Sequence, residues 1–404
     1  MVKYNGEMLF KFNFGRYIDM QELIEISGDD KSFLATKHRP AFEEINSNDT
    51  ISLVDLFCGA GGITLGIFEA AKSFNKKVKI ELAVDFDEKA LSVYIDNFPK
   101  ANTTLSDVLS IFESEINAPL NPTEEKLREK IVGLDFLVGG PPCQGHSDLN
   151  NFSRRKDQKN ALYFVMARAA KIFNPNFIII ENVPGAKHDR DNVFNKTANE
   201  LEMLGYDVSF ETINLFELGV PQKRKRLILV ASKDKNLKID EMISAYKTTN
   251  KSLQWAIQDL MHLDYEDVLM DTPSKPSKDN MNRIKYLFDN DLFDLPNEQR
   301  PPCHQKGNHT YKSIYGRMKW EEPSQTITSG FYSMCMGRYV HPELPRTLTA
   351  HEAARLQFFP DYFSFQKAKN RTSLATIIGN AVPPKLSFVL VHGILSRFDK
   401  GNNE

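Results

Sequence analysis

The sequence predicts a doubly wound α/β domain followed by a smaller, irregular second domain. Three observations carry that expectation. Short apolar, β-branched runs recur from Ile51 onward, helical patterns lie between them, and the runs are too apolar to alternate. Strands of that kind belong to a parallel sheet covered on both faces, not to a half-exposed antiparallel one.

The runs are ISLVDLF (51–57), VKIELAV (78–84), DFLVG (135–139), FIIIE (177–181) and RLILVAS (226–232), with a weaker third element ending near Asp107 in SDVL. Between them, Ala90, Leu91, Tyr94, Ile95 and Phe98 fall on one helical face, as do Leu162, Val165, Ala169 and Ile172. After about Asp234 the alternation stops, and breaker-rich stretches at 271–280 and 295–309 mark the second domain. From Ala350 a helix is expected, with Thr349 as N-cap and Glu352 as its capping-box partner, and a last helix follows Pro384. Residues 1–50 carry no repeat and no motif.

At 404 residues the chain has room for two or three domains at roughly 100–200 residues each. Hydrophobic residues at 41% and charged residues at 26% exclude a disordered, collagen-like or coiled-coil chain. A net charge of −2 excludes a uniformly basic binder but leaves room for a locally basic face. No stretch approaches the roughly 18 apolar residues of a membrane span. The opening MVKYNGEMLFKF lacks the order of a secretory leader, and four scattered cysteines make no disulfide framework, so a reducing, cytoplasmic setting is expected.

Strand 51–57 runs into Cys58-Gly59-Ala60-Gly61-Gly62 and then an apolar helix, a glycine turn that sets backbone N–H groups against a carboxylate or phosphate. Thr64 stands where a dinucleotide fingerprint wants its third glycine, which weakens a nicotinamide reading. Asp85 ends the next strand, placed for ribose hydroxyls, and Asp107 could reach an adenine amino group. A plain βα turn with surface acids would carry the same spacing. The fourth strand ends in Gly-Gly-Pro-Pro-Cys143-Gln144-Gly-His-Ser147, where two prolines fix a rigid turn at the sheet's carboxyl edge. A lone cysteine is commonly a buried small hydrophobe, but these polar, turn-forming neighbours favour a nucleophile. The fifth strand delivers Glu181-Asn182 to the same edge, where burial would raise the carboxyl pKa and let it donate a hydrogen bond. A thiol beside such an acid suits addition to an electron-poor ring whose nitrogen is protonated.

Taken together, DLFCGAGG (55–62), Asp85, Asp107, GGPPCQGHS (139–147), ENVPG (181–185), QKRKR (222–226), RTLTAHEAARLQFFP (346–360) and GNAVPP (379–384) closely resemble the DNA (cytosine-5) methyltransferase family, in its usual motif order. The resemblance implies an S-adenosyl-L-methionine-dependent methyltransferase domain, discontinuous over 51–234 plus 340–398, and a target-recognition domain at 235–339. It implies that Cys143, as thiolate, adds to carbon 6 of a flipped cytosine while Glu181 hydrogen-bonds ring nitrogen 3, after which carbon 5 takes the methyl group. Asn182 would hold nearby main chain, Arg226 would contact the nucleotide and support the carboxyl, and Gln144 would approach the DNA. For the cofactor it implies Phe57, the Gly59, Gly61 and Gly62 backbone, Asp85, Phe86, Asp107, Val108, Pro142, Asn380 and Val382. Asp85 stands where the family usually has Glu, and Ala381 where serine is common.

Double-stranded DNA is the implied partner, with a restriction endonuclease as functional counterpart. Ser147, Arg154, Arg155, Arg224, Arg317, Thr326 and Arg338 are the candidate DNA contacts, drawn from the basic 153–159 loop, the 223–226 cluster and the second domain, with Tyr332 nearby. The 223–226 cluster also imitates a nuclear-targeting signal. Cys303, His304 and His309 lack a fourth ligand and fit no standard zinc spacing, so no metal is expected. Methylation of cytosine in RNA is a second enzymatic reading, and a DNA-binding protein that has lost catalysis a third.

Overall fold

The computed structural model describes residues 30–113, 115–142, 162–188, 192–262, 268–305 and 314–398, and the backbone of three short N-terminal strands, Val2–Tyr4, Glu7–Lys11 and Tyr17–Ile18. Its centre is a seven-stranded sheet: β1 (Thr50–Leu56), β2 (Lys77–Asp85), β3 (Thr103–Leu105), β4 (Phe136–Gly139), β5 (Phe177–Asn182), β6 (Asp207–Asn214) and β7 (Lys225–Ser232). Their order across the sheet is β3-β2-β1-β4-β5-β7-β6. The first five are parallel, whereas β7 runs antiparallel to both β5 and β6. The all-parallel expectation is therefore corrected: the segment joining β6 to β7 is too short for a helical crossover and folds back as antiparallel neighbours.

Both faces of the sheet are covered. Ile179, Ile228 and Val230 face one core with α1 (Gly62–Ser73), while Ile178, Ile180, Leu227 and Leu229 face a second with α3 (Pro122–Lys130), α4 (Leu162–Phe173) and α5 (Val193–Met203). The period-two alternation of a strand splits each apolar run between two cores, which is why consecutive positions are apolar. In β2 one extra residue, Glu81, sits where Leu53 and Val54 of β1 pair with Ile80 and Leu82, and it resets that alternation so that Ile80 and Leu82 face different cores. In α2 (Glu88–Asn97), Ala90, Leu91 and Tyr94 are buried as expected, but Ile95 is 44% exposed, because it sits at the margin of the apolar stripe.

The chain end returns to the sheet's beginning. Thr349 and Glu352 form the expected capping box on α6 (Ala350–Leu356), followed by α7 (Arg371–Asn380) and α8 (Pro384–Phe398). Ser387 Oγ donates to the Ile63 carbonyl at 2.8 Å, fastening α8 to α1. The Arg371–Arg397 stretch is apolar enough for a membrane span by length and composition, contrary to expectation, but it is two helices broken at 381–383 and mostly buried inside the fold.

Leu237, Met242, Leu253 and Ile257 join the large core, whereas Ile284, Leu287, Leu295, Tyr315, Met334 and Val340 form a small separate one. Packing therefore changes inside the 235–339 span and not at its edge. Residues 30–34 are also fastened to the fold: Leu34 is fully buried, and Asp30 pairs with Lys385 at 2.5 Å.

Candidate active site

The carboxyl ends of β1, β2, β4 and β5 converge on one edge, and the antiparallel β7 begins there. Its register pairs Glu181 with Ile228, so Arg226, two residues earlier, lies on the same face as a diagonal neighbour of Glu181. The two meet: Arg226 Nε lies 2.5 Å from Glu181 Oε1, with both side chains nearly buried. Glu181 thus stands in an ion pair and not alone in an apolar crevice.

Asn182 holds the turn that follows β4. Its Nδ2 donates to the Pro141 carbonyl at 2.9 Å, and its Oδ1 accepts the Val183 N–H at 2.7 Å. Gly140 completes the approach, since a Cβ there would stand 3.3 Å from Glu181 Oε2 and 3.9 Å from Val382 Cγ2. Pro142, the last described residue of this turn, is half-buried. Cys143, Gln144, Ser147, Arg154 and Arg155 lie outside the described residues.

The glycine loop lies beside this pair. Phe57, Gly59 and Gly61 adopt positive φ, at 60°, 53° and 92°. At Gly62 a Cβ would fall 2.2 Å from the Val382 carbonyl, so only glycine admits the 381–382 segment so close. Thr64, the residue replacing a third glycine, donates to Asp55 Oδ2 at 2.6 Å and lies 2.9 Å from the Tyr94 hydroxyl. Asp55 is fully buried, and desolvation with some repulsion from Asp85 pushes its pKa up to about 7. Burial likewise raises the Cys58 thiol well above its ordinary value, making it a poor nucleophile.

Asp85 is 8% exposed, and burial raises its pKa against the opposing pull of the Asp87 and Gly59 N–H groups. Each of those amides donates at 2.8 Å, one to each carboxylate oxygen. Asp85 therefore braces the loop, with one lone pair left on each oxygen. Phe86 projects from the same edge, 71% exposed. Asp107 is exposed, accepting the Leu109 N–H at 3.0 Å, while Val108 is buried. Asn380 is exposed and Val382 half-buried on the segment above Gly62.

Of the basic cluster, Arg226 reaches Glu181, but Arg224 does not face solvent. It is 2% exposed, with its two terminal nitrogens donating to the Ile327 and Ala381 carbonyls at 3.1 and 3.0 Å. The expectation that Arg224 contacts DNA is corrected: Arg224 precedes strand β7, which starts at Lys225, and its side chain turns into the protein. Arg317 is likewise occupied, donating to the Pro342 carbonyl at 2.8 Å and stacking 4.2 Å from the Phe288 ring centre. Arg338 binds the Phe293 and Arg317 carbonyls and Asp294. Thr326 donates to the Lys223 carbonyl at 2.7 Å, and the half-buried Tyr332 offers its carbonyl to Ser274. His304 Nδ1 meets the Tyr315 hydroxyl at 2.8 Å, and His309 lies outside the described residues.

Sequence reasoning missed a buried amide network. Gln222 Nε2 donates to the Leu356 carbonyl and to Gln357 Oε1, both at 2.7 Å, while its Oε1 accepts the Ile327 N–H at 3.1 Å. Gln357 Nε2 continues to the Ile378 carbonyl at 2.6 Å. Neither glutamine carries a local signal, since both occupy positions where an exposed side chain would read the same.

The sequence matches the profile of C-5 cytosine-specific DNA methylases over residues 51–396. It is 43% identical to the Type II methyltransferase M1.BsuMI of Bacillus subtilis (strain 168) over 361 residues, covering 89% of this chain and 84% of the relative. It is 32% identical to the Type II methylase M.HgiDII of Herpetosiphon aurantiacus, covering 87% and 97%. Among solved structures, the S. pombe Dnmt2 methyltransferase shares the fold at 16% identity, with a TM-score of 0.60 and coverage of 87% and 100%. The Entamoeba histolytica methyltransferase EhMeth does so at 15% identity and a TM-score of 0.57, covering 87% and 99%. With its motifs gathered on one sheet edge and two Type II enzymes among its relatives, the chain belongs to the C-5 cytosine-specific DNA methylase family and is a DNA (cytosine-5-)-methyltransferase.

Proposed function

We propose that the protein transfers the methyl group of S-adenosyl-L-methionine to carbon 5 of cytosine in a specific double-stranded DNA sequence. It does so in the cytoplasm, through a covalent cysteine adduct on a flipped base, as the modification partner of a restriction endonuclease. The observation that carries this reading is the Glu181–Arg226 pair at 2.5 Å, set beside the glycine loop on one sheet edge.

The loop suits an adenosyl cofactor. Nothing lies within 4 Å of where a Cβ would stand at Gly59, leaving open backbone beside a largely buried carboxylate, Asp85, and an exposed ring, Phe86. Phe57, Gly59, Gly61, Gly62, Asp85, Phe86, Asp107, Val108, Pro142, Asn380 and Val382 would hold it. Bound there, S-adenosyl-L-methionine supplies the electrophilic methyl that carbon 5 takes.

The remaining steps fall to the chain's own residues. The target base leaves the stack, because a side chain cannot reach its ring inside the duplex. Cys143, as thiolate, adds to carbon 6, while Glu181 hydrogen-bonds ring nitrogen 3 and so makes carbon 5 nucleophilic. Once carbon 5 carries the methyl group it gives up its proton to a base, and the carbon 6–sulfur bond breaks to release Cys143 as thiolate. Arg226 fixes the Glu181 carboxyl through Nε while its Nη1 donates to the Lys225 carbonyl at 2.8 Å, which leaves Nη2 for the nucleotide. Asn182 keeps the Pro141–Pro142 turn, and with it the start of the Cys143 loop, against β5. Target recognition falls to the 235–339 region, and loop 153–159 closes over phosphates with Arg154 and Arg155.

The test is trapping on a duplex containing 5-fluorocytosine in the presence of S-adenosyl-L-methionine. A denaturation-stable adduct is expected with the wild type and none with Cys143→Ala. A wild type that forms no adduct on DNA, or one that tRNA outcompetes, would sink the proposal. Bisulfite mapping of plasmid from an expressing host then reads the target sequence.

A further inference from the structure

We propose that Arg224 is a positioning residue whose guanidinium joins the Thr326–Ile327 segment to the Ala381–Val382 segment, so that cofactor binding and target engagement reinforce one another. The inference rests on the cofactor reading above. Arg224 touches neither ligand; it acts through two main-chain carbonyls.

These carbonyls come from segments far apart in sequence. Ile327 lies in the stretch whose Thr326 is fastened to Lys223 and whose Ser324–Gln325 pairs with Gln222–Lys223. Ala381 immediately precedes Val382, whose carbonyl covers Gly62 so closely that a Cβ there would stand 2.2 Å away. A continuous contact path therefore runs from the glycine loop through Val382, Ala381, Arg224 and Ile327 to Thr326. The same two segments also meet directly: a Cβ on Gly379 would lie 2.2 Å from the Ser329 nitrogen.

Charge makes Arg224 the sensitive member of this path. Its guanidinium is buried, and among the described residues its Nε has no hydrogen-bond partner. The nearby acid, Glu181, is already engaged by Arg226. A buried cation without an ion-pair partner depends on every carbonyl dipole aimed at it. If either segment shifts, Arg224 loses one of its two acceptors among the described residues, so the positions of the two segments are energetically linked. Linkage of that kind is reciprocal, and each ligand tightens the other by the same factor.

The fold does not depend on this residue alone. Gln222 and Gln357 tie the same segments through neutral amide bonds, and strand pairing at 222–223 persists without the arginine. Arg224→Met should therefore fold while losing the linkage. Arg224→Lys, which keeps the charge but can serve only one carbonyl well, should lose part of it and carries the test if the methionine variant does not fold.

The experiment measures the Kd of S-adenosyl-L-homocysteine by calorimetry, with and without a saturating duplex carrying the mapped target sequence. The wild type should bind it about 10-fold more tightly with DNA, within the usual range for coupled sites. In Arg224→Met that factor should fall to about 2 or less, in keeping with the loss of one linkage, while binding without DNA changes by about 3-fold or less. The KM for DNA should rise more than kcat falls. Two results would overturn the inference: a wild type that binds S-adenosyl-L-homocysteine equally with and without DNA, or an arginine variant that keeps the wild-type factor. A wild type that binds no S-adenosyl-L-homocysteine at all would instead overturn the cofactor reading beneath it.

Discussion

His351 offers a stability test whose size follows from its surroundings. It lies in the first turn of α6, where the helix dipole opposes a positive charge. Burial also disfavours the cation, yet its Nδ1 lies 2.7 Å from Asp271 and its Nε2 2.9 Å from Asp361. The two carboxylates outweigh burial and push the pKa from 6.5 up to about 9. A raised folded-state pKa gives stability that is complete below about 6.5 and lost as pH rises through about 9. At about 1.4 kcal/mol per pH decade the full contribution is ~3 kcal/mol. The perturbation is His351→Gln, and the assay is urea unfolding of both proteins between pH 6.5 and 10.5. The wild-type advantage should be ~3 kcal/mol at pH 6.5, about half that at pH 8 and absent at pH 10.5. A packing loss would add an offset that does not change with pH, so the slope isolates the charge. A difference between the two proteins that stays flat across this range would refute the reasoning.

Other outcomes follow from single contacts. Glu181→Gln should slow single-turnover methylation by about 100-fold or more while cofactor affinity changes by about 2-fold, as expected when an acid–base group is lost; equal turnover would remove Glu181 from the chemistry. Glu124→Ala should cost about 3–5 kcal/mol in urea unfolding, since it strands the fully buried Arg168, whose pairing at 2.6 Å is otherwise complete. Asp55→Asn should gain melting temperature relative to the wild type as pH rises from about 4 through about 7, because the buried carboxyl resists ionisation and the amide does not titrate; a difference between the two proteins that stays flat with pH would count against it. Gly62→Ala should destabilise by about 1–3 kcal/mol and weaken S-adenosyl-L-homocysteine binding in calorimetry, since the added carbon meets the Val382 carbonyl at 2.2 Å.

Much of the fold was legible because its signals are local. Leu53-Val54, Leu82-Ala83-Val84, Phe136-Leu137-Val138 and Ile178-Ile179-Ile180 are apolar at consecutive positions, as strand segments facing two cores must be. The capping box at Thr349 and Glu352 marked α6 within four residues. Strand β6, by contrast, escaped notice because DVSFETIN is polar at alternate positions and lies at the sheet edge, where one side meets water. The antiparallel course of β7 was equally hidden, since an apolar run reads the same in either direction.

The sequence by itself determined which chemical groups could meet, because strand ends, glycine turns and prolines follow from short-range backbone preferences. Only the tertiary structure decided which of two arginines in QKRKR pairs with Glu181 and which is buried against Ile327 and Ala381. It also decided that Cys58, three residues beyond Asp55, is sealed in the core. The reason is physical: a side chain's direction is set by the register of its strand against partners tens or hundreds of residues away, and burial by whichever segment packs over it.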